Sequence, residues 1–275
     1  MQKNNPLVSI LIATYNSEDF VKETLDSVLN QTYKNTEIVL CDDASSDGTV
    51  NILKEYQKKN ERIKIIQNDR NLGISLNMNN GIRQCSGKYI AILDADDWAY
   101  PYRIEEQVNL MEENLKVVLC SGYMDICDEK LNVTTTREYP LTNEEIRKIM
   151  VRYNPISHPA SMWRTSELRK TTLYSDKFPI ARDYDLVVRI SEFGEYKNIG
   201  KPLIKYRVRE ESETGKRVRQ TQWYSFYIQM KAHFEYGFPL KFGDRIFLFF
   251  RLVATVILPV SLQRFIANNF SKISK

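Results

Sequence analysis

Three short apolar runs decide the fold, namely VSILIAT at residues 8–14, EIVLCDD at 37–43 and YIAILD at 89–94. Each run is nearly continuous and rich in β-branched residues, which is typical of a strand buried on both faces of a sheet. A fourth run, IKIIQN at residues 63–68, has the same character. The sequence therefore predicts a buried sheet in which two strands end directly in aspartates.

Helical patterns separate these predicted strands. Apolar spacing predicts helices over residues 49–59, 74–84 and 101–114, and an earlier helix that Asn16 and Ser17 could cap. Alternation of strand and helix indicates crossover connections and a mainly parallel sheet. The carboxyl ends of such strands lie along one edge, where open α/β sheets bind ligands.

Composition and charge exclude several classes of protein. The chain has 275 residues, of which 43% are hydrophobic and 27% charged, so a disordered chain or a polytopic membrane protein is excluded. A net charge of +4 is too small to indicate nucleic acid, and we expect no such partner. Four cysteines without a CxxC pair argue against structural zinc and for reduced thiols, and the N-terminus lacks a signal-peptide pattern. We therefore expect a cytoplasmic protein.

Acidic residues follow two of the predicted strands. Asp42 and Asp43 end one strand, and Asp94, Asp96 and Asp97 end the other. Carboxylates this close repel one another unless a cation joins them, and Mg²⁺ or Mn²⁺ prefers carboxylate oxygen and leaves positions for phosphate oxygens. The pattern favours a metal and phosphate site, while a solvated acidic turn that caps a helix is the alternative.

Four segments carry a family resemblance. In chain order they are VSILIATYN (8–16), EIVLCDDASSDGT (37–49), RNLGISLNMNNGI (70–82) and GKYIAILDADDWAYPYRIE (87–105). Together they closely resemble the family 2 glycosyltransferases over roughly residues 6–210. The resemblance implies an α/β fold of the GT-A nucleotide-diphospho-sugar transferase type, with a mainly parallel central sheet flanked by helices. Helical patterns after residue 216 add a C-terminal extension.

The resemblance also implies a donor site. Tyr15 would pack on the nucleotide base, Asp43 would accept a hydrogen bond from the uracil imide, and Arg70 would lie near the base or ribose. In the second acidic cluster, Asp96 would contact the ribose, Asp97 would bind Mn²⁺ or Mg²⁺ beside it, and Asp94 would support the loop. The metal would stabilise the departing diphosphate as a Lewis acid.

A second acidic motif suggests the catalytic base. The segment RDYDLVVRI at residues 182–190 resembles the family pattern Glu-Asp-x-x-Leu-Trp-x-Arg, with Arg182 in place of the usual Glu. The resemblance makes Asp183 the general base that deprotonates the acceptor hydroxyl. The structural alternative is an ion pair of Asp183 with Arg189 or Lys201.

Four further residues are candidates for contact with acceptor or diphosphate. His158, in NPISHPASMWR, would line the acceptor pocket or serve a structural role. Arg209, Lys216 and Arg217, in the loop after the last strand, would clamp the diphosphate or remain solvated.

The C-terminal segment IFLFFRLVATVILPVSL at residues 246–262 is apolar but contains Arg251 and Pro259. As a helix it would span roughly 26 Å, slightly short for a bilayer. With basic residues around it, the segment favours an interfacial helix on an anionic membrane surface, or a contact between copies in a homo-oligomer. A transmembrane span and a buried helix remain alternatives.

Together these features predict an inverting, metal-dependent enzyme that transfers sugar from a UDP-sugar to a glycan hydroxyl. Residues 1–215 would form its catalytic domain, with 1–115 as nucleotide-binding half and 116–215 as acceptor-binding half, and 216–275 a helical region that associates with membrane. The expected acceptor is lipid-diphosphate-linked, in bacterial surface-polysaccharide synthesis at the inner membrane face. A sugar nucleotidyltransferase, or a non-catalytic glycan-binding scaffold of the same fold, is the alternative.

Overall fold

The first apolar runs form parallel strands at the centre of the sheet. The computed structural model describes residues 5–209 and 218–257. In it, β1 (Val8–Thr14) pairs in parallel with β2 (Thr36–Asp42) on one side and with β4 (Tyr89–Asp94) on the other. The strands consequently bring their acidic carboxyl ends to the same edge.

Further strands extend this parallel core on both sides. On one side, β3 (Ile63–Gln67) pairs in parallel with β2. The remaining strands are β5 (Trp98–Ala99), β6 (Val117–Cys127), β7 (Val133–Arg137), β8 (Met162–Arg164) and β9 (Glu195–Arg207). Beyond β4 they continue the sheet with both parallel and antiparallel pairing, in the order β3-β2-β1-β4-β8-β6-β9-β5, with β7 paired to β6. The second half of the chain thus completes the sheet that the first half begins.

Helices cover both faces of the sheet. Those of the first half are α1 (Val21–Leu29), α2 (Thr49–Lys59), α3 (Ile74–Gln84) and α4 (Arg103–Glu113). Those of the second half are α5 (Asn143–Ile149), α6 (Thr165–Leu168), α7 (Arg182–Ile190), α8 (Val218–Tyr236) and α9 (Phe242–Ile257).

The core has two layers because alternate residues of a strand point to opposite faces. Leu11 and Ile92 pack in the layer that contains α3 and α7 residues, whereas Ile10 and Ile12 pack with α1 and α4 residues. Both layers are buried, which explains why the strands are almost continuously apolar.

The predicted cap of the first helix is wrong. Helix α1 begins at Val21, Phe20 is its N-cap residue, and no side chain caps it. Asn16 instead accepts a hydrogen bond of 2.9 Å from the backbone N–H of Ser46, and Ser17 lies in a turn before the helix. The polar residues after β1 therefore serve the loop at the sheet edge.

The C-terminal apolar segment forms α9, which ends the described part of the chain at Ile257. Pro259 and the rest of the predicted segment lie outside the described residues. Among the helices at residues 5–209 and 218–257, none has the length and apolar character needed to span a bilayer.

Candidate active site

The polar ends of three neighbouring strands meet at one edge of the sheet. The register places Thr14 of β1 opposite Asp42 of β2, and Ala13 of β1 opposite Asp94 of β4. The Thr14 hydroxyl donates a hydrogen bond of 2.9 Å to Asp42 Oδ1. The acidic residues therefore gather at the edge that the sequence predicts to bind ligand.

Asp43 organises the loop beside this edge. Its Oδ1 accepts hydrogen bonds from Asn68 Nδ2 at 2.9 Å and from the backbone N–H of Leu72 at 2.8 Å, and its Oδ2 accepts one from the Gly73 N–H at 2.9 Å. Gly73 has a φ of +83°, a conformation that glycine adopts without strain. A carboxylate offers about four lone-pair sites, so this buried group holds the loop and retains acceptor capacity.

A cleft of about 380 Å³ lies beside the loop that Asp43 holds. It is lined by Gln67, Asn68, Asp69, Arg70, Leu72 and Asn80. Tyr15, directly after β1, is 51% exposed and therefore free to contact a ligand. Of the predicted base-binding residues, Arg70 thus lines the cleft, whereas Tyr15 and Asp43 are not among its lining residues.

The second acidic cluster contains a buried oxygen without a partner. Oδ1 of Asp97 accepts a hydrogen bond of 2.9 Å from the backbone N–H of Arg207, whereas Oδ2 has none among the described residues. Burial and the charges of Asp94 and Asp96 raise the pKa of Asp97 well above its ordinary value. Burial and the charges of Asp96 and Asp183 raise the pKa of Asp94 to about 7. These carboxylates repel one another.

This chemistry fits a divalent cation that arrives with phosphate. An unpartnered buried carboxylate oxygen and mutually repelling acids are what such a cation relieves. Within residues 5–209 and 218–257, no group of three or more His, Cys, Asp or Glu side chains is arranged to hold a metal alone. Mg²⁺ in nucleotide sites commonly takes one or two carboxylates and completes its shell with phosphate and water. Asp97, with Asp96 beside it, fits that pattern.

Two buried arginines, Arg103 and Arg207, lie beside the acidic cluster. The sequence patterns assign neither of them a role. Arg103 donates a hydrogen bond of 2.6 Å to Ile92 O, and burial lowers its pKa to about 10 while Asp97 and Asp94 oppose that shift. Arg207 donates from Nε to Asp96 O at 2.8 Å and also pairs with Glu23.

A signal for each arginine is present in the sequence. Arg103 stands in the quoted motif GKYIAILDADDWAYPYRIE, six residues after Asp97. Arg207 alternates with Lys205 and Arg209, and alternate residues of a strand share one face.

Arg209 lies over the acidic cluster. Its Nε is 2.9 Å from Asp96 Oδ2, and its guanidinium lies over the Phe20 ring. The other predicted diphosphate ligands, Lys216 and Arg217, lie outside the described residues.

Asp183 lies in the first turn of α7, where the helix dipole favours negative charge. Its Oδ2 accepts a hydrogen bond of 3.0 Å from Asn154 Nδ2. The alternative that pairs Asp183 with Arg189 or Lys201 is wrong, since Arg189 pairs with Asp185 at 2.8 Å and Lys201 with Glu106 at 2.5 Å.

Asp183 lies near the acidic cluster. Its charge contributes to the raised pKa of Asp94, which requires the two carboxylates to lie close enough to interact. Ala181, the residue before helix α7, has a φ of +61°, a strained conformation of the kind that clusters at active sites. The acidic cluster thus has a separate carboxylate within electrostatic reach.

His158 lies beside Asp183. Its Nε2 is 2.7 Å from the Tyr174 hydroxyl. Burial and the Arg182 charge lower its pKa, and the charge of Asp183 only partly opposes them. The lowered pKa favours the neutral imidazole as a hydrogen-bonding group near Asp183.

Comparisons with known proteins agree with this geometry. Residues 9–169 match the model of the family described as "Glycosyl transferase family 2". An uncharacterized glycosyltransferase of Haemophilus influenzae is 35% identical over 237 residues, which cover 79% of this chain and 73% of that protein. Chondroitin synthase of Escherichia coli is 30% identical over 201 residues, covering 72% of this chain and 28% of the synthase.

Solved structures of similar fold include complexes with nucleotide sugars. S. aureus TarS in complex with UDP-GlcNAc superposes with a TM-score of 0.62 at 17% identity, over 90% of this chain and 81% of that one. The mannosyltransferase PcManGT of Pyrobaculum calidifontis, in complex with GDP-Man and Mn²⁺, gives 0.61 at 13% identity, over 95% and 84%. These likenesses show that the chain has the GT-A fold.

Proposed function

Since the chain belongs to glycosyltransferase family 2, we propose that it transfers a sugar from a UDP-sugar to a hydroxyl of a glycan, with inversion at the anomeric carbon. The observation that supports the proposal is the nearness of Asp183 to an acidic cluster in which Asp97 Oδ2 is buried without a hydrogen-bond partner among the described residues. Such an arrangement can bring a diphosphate and an attacking hydroxyl together.

The donor side uses the edge formed by the first half of the chain. Tyr15 stacks on the uracil, and Arg70 lines the cleft that receives the nucleoside. Asp43 holds the loop beside the cleft and accepts from the uracil imide with the one lone-pair site that its three hydrogen bonds leave. A base buried between an aromatic ring and a polar loop is held in one orientation, which favours attack at a single carbon.

The acceptor side uses Asp183. Its carboxylate takes the proton of the acceptor hydroxyl as that oxygen bonds to the anomeric carbon, and the bond between this carbon and the diphosphate oxygen breaks with its electron pair on UDP. Asn154 orients the carboxylate through its hydrogen bond of 3.0 Å. Attack from the face opposite UDP gives an inverted, β-linked product.

Charge on the departing diphosphate needs stabilisation. A Mn²⁺ or Mg²⁺ ion held by Asp97, with Asp96 beside it, supplies Lewis-acid stabilisation when bound. Arg209 is 2.9 Å from Asp96 and can turn from it to a phosphate oxygen. The Mn²⁺ in the complex of PcManGT supports a divalent cation in this role.

The acceptor belongs to polysaccharide synthesis in this proposal. Among the relatives, chondroitin synthase is named for a glycan polymer. In the proposed division, residues 1–115 serve the donor and 116–215 the acceptor, and the described helices α8 and α9 belong to the remaining region. A lipid-diphosphate-linked acceptor at the inner membrane face is the substrate that we propose.

Asp183→Asn tests the proposal most simply. UDP release from a panel of UDP- and GDP-sugars, with Mn²⁺ or Mg²⁺, identifies the donor, and transfer to lipid-linked glycan is then measured. Because general-base catalysis contributes about 10²–10⁴-fold, we expect kcat for transfer to fall about 10³-fold. UDP affinity, measured by calorimetry, should remain unchanged.

Asp176→Asn is the matched control, since it removes an exposed carboxylate seven residues before the base. It should leave transfer intact. Full transfer activity in Asp183→Asn would exclude the base assignment, and no nucleotide release with any donor would exclude the transferase.

A further inference from the structure

Helix α9 places polar residues toward the protein and apolar residues toward solvent, the reverse of an ordinary surface helix. Its face toward the rest of the protein is largely polar, with Asp244 and Thr255 buried beside Leu248. Asp244 Oδ1 pairs with Arg152 Nε at 2.5 Å, and Arg251 donates to Arg152 O at 2.9 Å. Polar contacts therefore attach α9 to the catalytic part of the chain.

The opposite face of α9 is apolar and exposed. Phe242, Ile246, Phe249, Phe250 and Ile257 are between 43% and 77% exposed. Their spacing of three, four and eight residues places them along one stripe of the helix. A helix at the surface of a soluble protein normally buries such a stripe, whereas within residues 5–209 and 218–257 this one is left uncovered.

The charges beside the stripe indicate the partner. Lys241 and Arg245 are exposed at the first turn, whereas the one acid of α9, Asp244, is buried in its pair with Arg152. The exposed surface of this helix is therefore apolar and cationic. Anionic lipid headgroups complement both properties.

A second copy of the chain fits this face less well. In a two-fold contact the same patch meets itself, so Lys241 and Arg245 would face a copy of α9 whose one acid, Asp244, is already buried in its pair with Arg152. An anionic bilayer attracts these cations and also takes up the aromatic rings at the headgroup level.

We propose that α9 lies flat on an anionic membrane surface, with the stripe Phe242, Ile246, Phe249, Phe250 and Ile257 in the headgroup region and Lys241 and Arg245 against acidic lipid. At 16 residues the helix is about 24 Å long. Interfacial helices of this kind bury their apolar face by about 5–10 Å. Docking by α9 would hold the catalytic cleft beside the membrane.

Vesicle flotation of the full chain tests this inference. The probes are phosphatidylcholine vesicles with and without about one third phosphatidylglycerol. We expect binding at least tenfold stronger to the anionic vesicles, with a loss under high salt. The double variant Phe249→Ser/Phe250→Ser should reduce binding about tenfold or more, and Lys241→Glu/Arg245→Glu should remove the preference for anionic lipid.

The matched control is Leu115→Ser, which replaces a residue that is 73% exposed far from α9 in sequence. It should bind vesicles like the parent protein. UDP release from a donor without lipid should be unchanged in all variants, which separates this inference from the proposed reaction.

Two results would overturn membrane docking. One is vesicle binding that is absent from the parent protein or unaltered in the phenylalanine variant. The other is a dimer in sedimentation that is lost in the phenylalanine variant, while neither the parent protein nor any variant binds vesicles. A second copy of the chain would then cover α9.

Discussion

Asp97 and Asp185 are equally buried, at 1% exposure each, but their surroundings differ completely. Asp185 pairs through Oδ2 with Arg189 at 2.8 Å and through Oδ1 with Lys231 at 2.9 Å. Among the residues that the structure describes, Asp97 has one hydrogen bond from a backbone N–H, one oxygen without a partner, and two acidic neighbours.

The difference separates two uses of a buried charge. A buried carboxylate with both oxygens paired is part of the structure, because removing it leaves its partners uncompensated. A buried carboxylate that repels its neighbours costs stability in the absence of a ligand, and the charge arrangement is useful once a cation binds.

The largest effect on stability is expected for Asp185→Ala. It leaves Arg189 and Lys231 without their carboxylate and loosens the contact between α7 and α8. Breaking a buried ion pair costs about 3–5 kcal/mol in the free energy of unfolding. Urea denaturation measures this loss, and a variant as stable as the parent protein would show that the pair is not structural.

A smaller effect with a distinct pH dependence is expected for Asp94→Asn. The pKa of Asp94 is raised from 3.8 to about 7, so the folded protein binds more protons than the unfolded chain between these values. Without metal, the free energy of unfolding therefore falls as pH rises from about 4 to about 7.

Asparagine removes this pH dependence. We expect a gain of about 1–3 kcal/mol at pH 8, since one pKa unit corresponds to about 1.4 kcal/mol and water in the cleft screens part of the repulsion. Denaturation in EDTA at pH 5 and pH 8 provides the measurement. Identical pH profiles for variant and parent would contradict the repulsion.

The smallest effect is expected at the acceptor side, for His158→Gln. Glutamine retains a neutral hydrogen-bonding group but displaces the contact with Tyr174. We expect kcat/KM for the acceptor to fall about tenfold, or about 1.4 kcal/mol, while UDP-sugar hydrolysis is unchanged. A parallel loss of hydrolysis would place His158 on the donor side instead.

Local sequence patterns predict the parallel core well. β1 and β4 begin and end at the residues that their apolar runs indicate, because strands buried on both faces have little freedom in composition. The start of α1 was predicted wrongly, since Asn16 hydrogen-bonds to Ser46, thirty residues away. Asparagine is common both at helix N-caps and in loops, so the sequence alone does not distinguish the two roles at Asn16.

The supports of the site depend on contacts between distant residues. Lys231 pairs with Asp185 across 46 positions, and Arg207 reaches Asp97 across 110. No local period indicates such pairs, because the course of the intervening chain decides them. The family resemblance implies roles for Asp97 and Asp183 as metal ligand and general base. It does not indicate which buried acids form ion pairs.

Asp97→Asn tests the central claim most directly, through its effects on stability and on binding. We expect the metal-free protein at pH 8 to gain stability, measured as a higher free energy of unfolding, since the variant removes one of three repelling charges. Calorimetry should show that Mn²⁺ no longer strengthens UDP binding. A variant that loses stability as Asp185→Ala does, and that still binds UDP more tightly with Mn²⁺, would contradict the account.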